Sequence, residues 1–195
     1  EERVATLSGG VIRLASNVFS YLGEQKSQRL LESYEYSGTD LVLGKMSPMQ
    51  LASELGDPDP LYLKTLEMME KLEIIVQELK GAVVTRLNFD FIVGRIEGGN
   101  DNQTEIFVAD QGFGFGDATI AEFLAIDDLM ENPGMNLSRM ECHFSWDDQI
   151  KEDIPEDAIV CYEGKYPRSD FELYPEAKIY HHRHDPDIPM KFWVR

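Results

Sequence analysis

Three segments of this chain carry side chains whose types and spacing could do chemistry. The first is His181–Asp187, "HHRHDPD". On a strand, alternate side chains share a face, so His182 and His184 point together and His181 points away. Paired imidazoles suit a divalent metal, and Asp185 or Asp187 could add oxygen. Local spacing fixes no third ligand, because His143 is distant in sequence. The competing reading is a strand end with titrating histidines.

The second segment is "VADQGFGFGDATIAEF", residues 108–123. Gly112, Gly114 and Gly116 would let backbone amides approach a phosphate at a helix N-terminus. The G-x-G-x-G spacing fits neither the dinucleotide fingerprint nor the P-loop. No Lys or Arg lies between Arg95 and Arg139, and Asp110 and Asp117 flank the glycines. A phosphate would meet repulsion there, so a loop whose Phe113 and Phe115 plug a core or a partner fits better. The third segment is "DDQIKEDIPED", residues 147–157. Its carboxylates, Asp147, Asp148, Glu152 and Asp153 among them, could hold a divalent cation. The stretch lacks the EF-hand order of ligands and its central Gly, so it reads as a solvated loop or a docking surface for a basic partner.

A nucleophile is harder to find. There is no G-x-S-x-G motif, and Cys142 and His143, being adjacent, fall on opposite faces of a strand. No pair of carboxylates stands out as general acid and base. Cys142 and Cys161 read as two buried thiols of a reducing compartment, with a disulfide as the alternative. An intracellular, soluble protein is favoured; two sequons, at Asn102 and Asn136, and a start at Glu1 leave processed organellar or secreted forms open.

Charge narrows the partners. The chain of 195 residues has 18 Lys+Arg against 36 Asp+Glu, net −18. Between Glu105 and Glu176 there are 18 acidic and 4 basic residues, net −14, which locates the excess. Such a field repels nucleic acid and anionic membrane and attracts basic proteins or cations. No apolar run approaches the roughly 20 residues that span a bilayer.

The elements that must position these groups read as follows. Leu7–Tyr34 has Val11, Ile12, Leu14, Ala15, Val18, Phe19 and Leu22 at 3.6-residue spacing, which predicts a helix. Ser47 and Pro48 open a short helix that Gly56 ends. "DPDP" at 57–60 is a rigid turn, and a second helix starts at Leu61. If that helix stops near Glu73 and two strands follow, residues 45–87 resemble a winged-helix unit; if it continues to Leu79, they do not. The helix itself carries Lys64 and Lys71 against Glu67, Glu70 and Glu73, a poor charge balance for a DNA reader. Leu87, Phe89, Phe91 and Val93 alternate as a half-buried strand, returning in "TEIFVAD" as a hairpin. "DATIAEFLAIDDLMEN" is a helix, and short strands fill the rest: 139–146, 158–163, 177–182 and 190–195.

The expected fold is therefore α+β: a helix-rich N-terminal part, 1–86, with the winged-helix-like unit at about 45–87, followed by an acidic, mainly antiparallel strand-rich part, 87–195, with one helix; two apposed parts and one compact domain are both open. The expected function is a non-catalytic soluble subunit or adaptor acting through protein contacts. Its acidic face would meet a basic partner through Phe113, Phe115, the 147–153 carboxylates and the Trp193 strand. No cofactor is expected beyond a divalent cation. The alternatives are a metal-dependent enzyme using His182, His184 and Asp185, and an acidic mimic of nucleic acid.

Overall fold

A computed structural model of the chain describes residues 3–30, 33–79, 84–95, 104–112, 119–145, 156–165 and 189–194. The chain forms two compact units, Glu1–Glu141 and Cys142–Arg195. The first holds strands β1 (Arg3–Leu14), β2 (Asn17–Leu30) and β3 (Ser33–Gly44), helices α1 (Pro48–Glu54) and α2 (Pro60–Glu78), strands β4 (Arg86–Arg95) and β5 (Thr104–Gly112), helix α3 (Thr119–Glu131) and the start of β6 (Leu137–Ser145). Its six strands lie in the order β5-β4-β1-β2-β3-β6.

The N-terminus is thus strands first and helices after, and the helix-rich N-terminal part is overturned. Leu7–Tyr34 is not a helix. Leu7 pairs with Glu24 and Leu14 with Asn17 in an antiparallel ladder that turns at Ala15 and Ser16. The reason lies in burial. Leu7, Val11 and Leu22 point into one core, and Ile12, Phe19 and Tyr21 are buried outside it. Strands covered on both faces lose the apolar–polar alternation and read as a near-continuous apolar run, which a helical period also matches.

The winged-helix resemblance fails too. Helix α2 runs unbroken to Glu78, so Ile74–Glu78, expected as the first wing strand, complete the helix instead, and Arg86 and Leu87 of the expected second strand open β4. Asp59 caps it, its carboxylate accepting from the Leu61 amide at 2.8 Å, and Pro60 supplies the first helical position. Helix α1 starts at the expected Ser47 with a reciprocal capping box: the Gln50 amide donates to Ser47 Oγ at 3.4 Å, and the Ser47 amide donates to Gln50 Oε1 at 3.0 Å. The expected hairpin is present as β4–β5, and α3 lies within the expected helix.

The sheet is covered on both sides. Its first face carries Leu7, Val11, Leu22, Val42, Leu87, Phe89, Phe91 and Val93, against Leu51 and Ala52 of α1 and Leu66 and Met69 of α2. Burying each such side chain is worth roughly 1.5–3 kcal/mol, so this core dominates the stability of the unit. Gly9 and Gly10 allow close approaches: a Cβ on Gly9 would lie 2.5 Å from Met69 Sδ, and one on Gly10 would lie 2.3 Å from the Leu87 carbonyl oxygen and 2.6 Å from Tyr21 Cε1. Helix α3 packs against β3, with Ala121, Ala125, Ile126 and Leu129 buried.

In the second unit the strand order is β6-β8-β7, with β7 spanning Ile159–Lys165 and β8 spanning Pro189–Val194. The pairings are antiparallel: Cys142 with Val194 and Ser145 with Lys191 on one side, Ile159 with Val194 and Lys165 with Pro189 on the other. Among the described residues, no helix is long and apolar enough to cross a membrane.

Candidate functional site on the second sheet face

Strand β4 alternates strictly. Leu87, Phe89, Phe91 and Val93 enter the helix-covered core, which turns Arg86, Asn88, Asp90 and Ile92 to the other face. The ladder places Ile12 opposite Arg86, Gly10 opposite Asn88, and Ser8 opposite Asp90; β2 adds Tyr21 opposite Gly10. A row of polar side chains therefore crosses the middle of this face.

One end of the row is fully satisfied. Glu122 of α3 is 0% exposed and accepts two parallel bonds from Arg86, Nε to Oε2 at 2.8 Å and Nη2 to Oε1 at 2.7 Å. A bidentate guanidinium–carboxylate pair is the geometry in which burial of two charges is best offset. Arg86 Nη2 also donates to the Tyr21 hydroxyl at 3.5 Å. Tyr21 in turn donates to Asn88 Oδ1, which receives a second bond from Ser8 Oγ at 3.2 Å. Burial raises the Tyr21 phenol well above its ordinary value, the Glu122 charge raises it further, and Arg86 pulls the other way. Burial works against the Arg86 charge, but its bond to Glu122 and the fields of Tyr21, Glu122 and Asp90 outweigh it and raise its pKa.

The other end is not satisfied. Among the described residues, Asp90 Oδ1 and Thr6 Oγ1 are buried with no hydrogen-bond partner. Asp90 lies directly opposite Asp110 of β5, in register. Like charges so placed are destabilising in themselves. With Asn88, these carboxylates are the groups here that could meet a cation, although no cluster of three or more His, Cys, Asp or Glu suited to a metal occurs among the described residues.

A concavity lies on the first face. It is about 360 Å³ and is bounded by Val11, Leu87 and Val84 on one side and Val76 and Gln77 of α2 on another. Its polar lining is self-contained: buried Glu73 accepts from Arg13 and, at 2.8 Å, from Gln77 Nε2.

The residues singled out from sequence fall mostly elsewhere. His182, His184, Asp185, Phe113, Phe115, Asp147, Asp148, Glu152 and Asp153 lie outside the described residues. Trp193 is on β8, where its backbone faces His143 of β6 and Val160 of β7, so the strand is paired along both edges. Arg86, Asn88, Asp90, Tyr21 and Glu122 were missed. The signal was present in the alternation Arg86-x-Asn88-x-Asp90, three polar groups of different kinds on one face of a strand.

A family model described as "Protein of unknown function (DUF3182)" matches residues 2–173. The chain belongs to that family. The match takes in every member of the polar row, from Thr6 to Glu122, so the site lies inside the part that defines DUF3182. No curated protein and no solved structure matches the chain.

Proposed function

We propose that this DUF3182 protein is a soluble subunit or adaptor that works by protein contact, taking an extended basic segment along β5. The observation that carries the reading is the state of that strand. It ends the strand order of the first unit, and from Glu105 to Gln111 every residue except Ile106 is exposed. Phe107 is 47% exposed and faces Ile92, itself 38% exposed, across the ladder. A terminal strand offers a row of backbone donors and acceptors to which an incoming strand can pair, and alternate side-chain contacts give specificity. Glu105 and Asp110 supply charge for a Lys- or Arg-bearing partner, and the net charge of −18 steers such a partner toward the chain.

The test is size-exclusion chromatography and pulldown from native extract, with wild type beside Phe107→Lys. A stoichiometric partner retained by wild type and lost by the variant supports the reading. A protein that captures nothing, or a variant that captures the same partner equally well, rejects it.

A further inference from the structure

Beyond the partner reading, and standing whether or not β5 takes a peptide, we infer that Asp90, Asp110 and Thr6 form a binding site for a primary ammonium group. Three observations converge. Asp90 Oδ1 is buried with nothing donating to it, and Thr6, 8% exposed, has a buried hydroxyl in the same condition. Both lie on the second sheet face: Ser8 pairs with Asp90, and Thr6 is the next residue of β1 on that side. Asp110 faces Asp90 directly across β4–β5.

Arg86 attracts the Asp90 charge but gives Asp90 Oδ1 no hydrogen bond. Arg86 is close enough for the Asp90 charge to act on it, but its Nε is committed to Glu122 and its Nη2 to Glu122 and Tyr21. Tyr21 and Ser8 both give their protons to Asn88. The Tyr21 and Ser8 protons are thus spent on Asn88, while Asp90 Oδ1 stays without a donor. Asp110 Oδ1 accepts from the Gln111 amide at 2.7 Å and keeps lone pairs to spare. What fits is a group with several donors, no acceptor and a positive charge, and a primary ammonium has all three. A divalent ion fits less well, since it asks for six or more oxygens and the described residues offer no third carboxylate here. An ammonium also resolves the repulsion between the facing aspartates, which otherwise only costs stability.

The experiment is an NMR titration of the full chain with n-butylamine, with a lysine-containing pentapeptide and with Mg²⁺, following the amides of Thr6, Asp90 and Asp110. Saturable shifts are expected with an ammonium probe, weakened about tenfold or more by Asp90→Asn, a near-isosteric change. The tighter of the two ammonium probes tells a free amine from a partner's lysine. Asp110→Asn, at an exposed position, is expected to weaken binding while raising the Tm of the free protein by roughly 1–4 °C, because it removes the like-charge pair. A purely structural role for Asp110 would not move the two readouts in opposite directions. The inference is overturned by no saturable shift up to about 20 mM probe, well beyond saturation of a millimolar site. It is equally overturned by unchanged affinity in Asp90→Asn, or by Mg²⁺ that displaces the amine at lower concentration.

Discussion

Replacing Gly10 by Ala should damage this protein far more than replacing its neighbour Gly9. Both glycines lie in β1, and at both an added Cβ would be too close to something. What differs is whether the obstacle can move. At Gly9 the contact is Met69 Sδ at 2.5 Å, near the end of a flexible side chain. A thioether swings aside at little cost, and the entropy gained by removing a glycine from a strand returns about 0.5–1 kcal/mol. The net loss for Gly9→Ala is therefore about 1 kcal/mol or less. At Gly10 the Cβ would meet the Leu87 carbonyl oxygen at 2.3 Å and the Tyr21 hydroxyl at 2.7 Å. Neither yields cheaply: the carbonyl belongs to the β4 backbone beside β1, and Tyr21, 0% exposed, is hydrogen-bonded to Asn88. Overpacking costs about 1–3 kcal/mol, and leaving buried polar partners of Tyr21 unsatisfied adds about 1–3 kcal/mol. Less the same roughly 0.5–1 kcal/mol returned by losing a strand glycine, Gly10→Ala should thus lose about 1–5 kcal/mol. Urea unfolding of the two variants, read by far-UV circular dichroism with m-values compared, measures the difference. Equal losses, or a Gly10→Ala loss below about 1 kcal/mol, would refute the claim that the close approach of Leu87 and Tyr21 requires a glycine here.

Glu122→Leu should cost about 3–5 kcal/mol by leaving the Arg86 charge buried and uncompensated, and the double change with Arg86→Met should recover most of it; thermal unfolding of the cycle tests this. Stability should fall in alkali. The Tyr21 phenol titrates above its ordinary value of 10.0 in the folded state, so its contribution is full below that pH and is lost as pH rises through the folded value. Tyr21→Phe should remove that component of a Tm-versus-pH curve. Ala15 sits at φ 53°, a left-handed conformation that opposes a Cβ, so Ala15→Gly should stabilise by about 0.5–1 kcal/mol; an unchanged urea midpoint would contradict this.

The parts of the fold legible in the sequence were those with local markers. Ser47-Pro48 announces α1 through its cap, and the alternation from Leu87 to Val93 announces β4. The β1–β2 hairpin carried no such marker. With α1 and α2 over one face and α3 reaching the other, Val11 and Ile12, or Phe19 and Leu22, all had to be apolar, and neighbouring apolar residues imitate a helix. Ser8-Gly9-Gly10 is a poor helical triplet, and it was the residue-level sign against a helix. The candidate site was obscured by the same assumption in reverse. Arg86, Asn88 and Asp90 looked like the solvent side of a half-buried strand, whereas Arg86 is 8% exposed and bound beneath α3. A polar residue is informative when it is buried, and burial here depends on a helix that arrives thirty-odd residues later in the chain.

That burial separates two kinds of polarity on one face. Arg86, Glu122, Tyr21, Asn88 and Ser8 close on one another through five hydrogen bonds, so they need nothing from outside. A buried pair of this kind adds little net stability over an apolar replacement, but breaking it by removing one partner is costly. Asp90 and Thr6 have no such account. Each leaves a buried oxygen without a donor, a cost of about 1–3 kcal/mol apiece that an apolar or smaller residue would avoid. Adding Asp110 opposite Asp90 deepens the cost. Two adjacent sets of polar groups, one satisfied and one not, are hard to explain as packing, because the arrangement that satisfies the first shows that the fold can do so. The unsatisfied set is where a ligand would repay what folding gives up, and the opposite signs expected for stability and binding in Asp110→Asn follow from that difference alone.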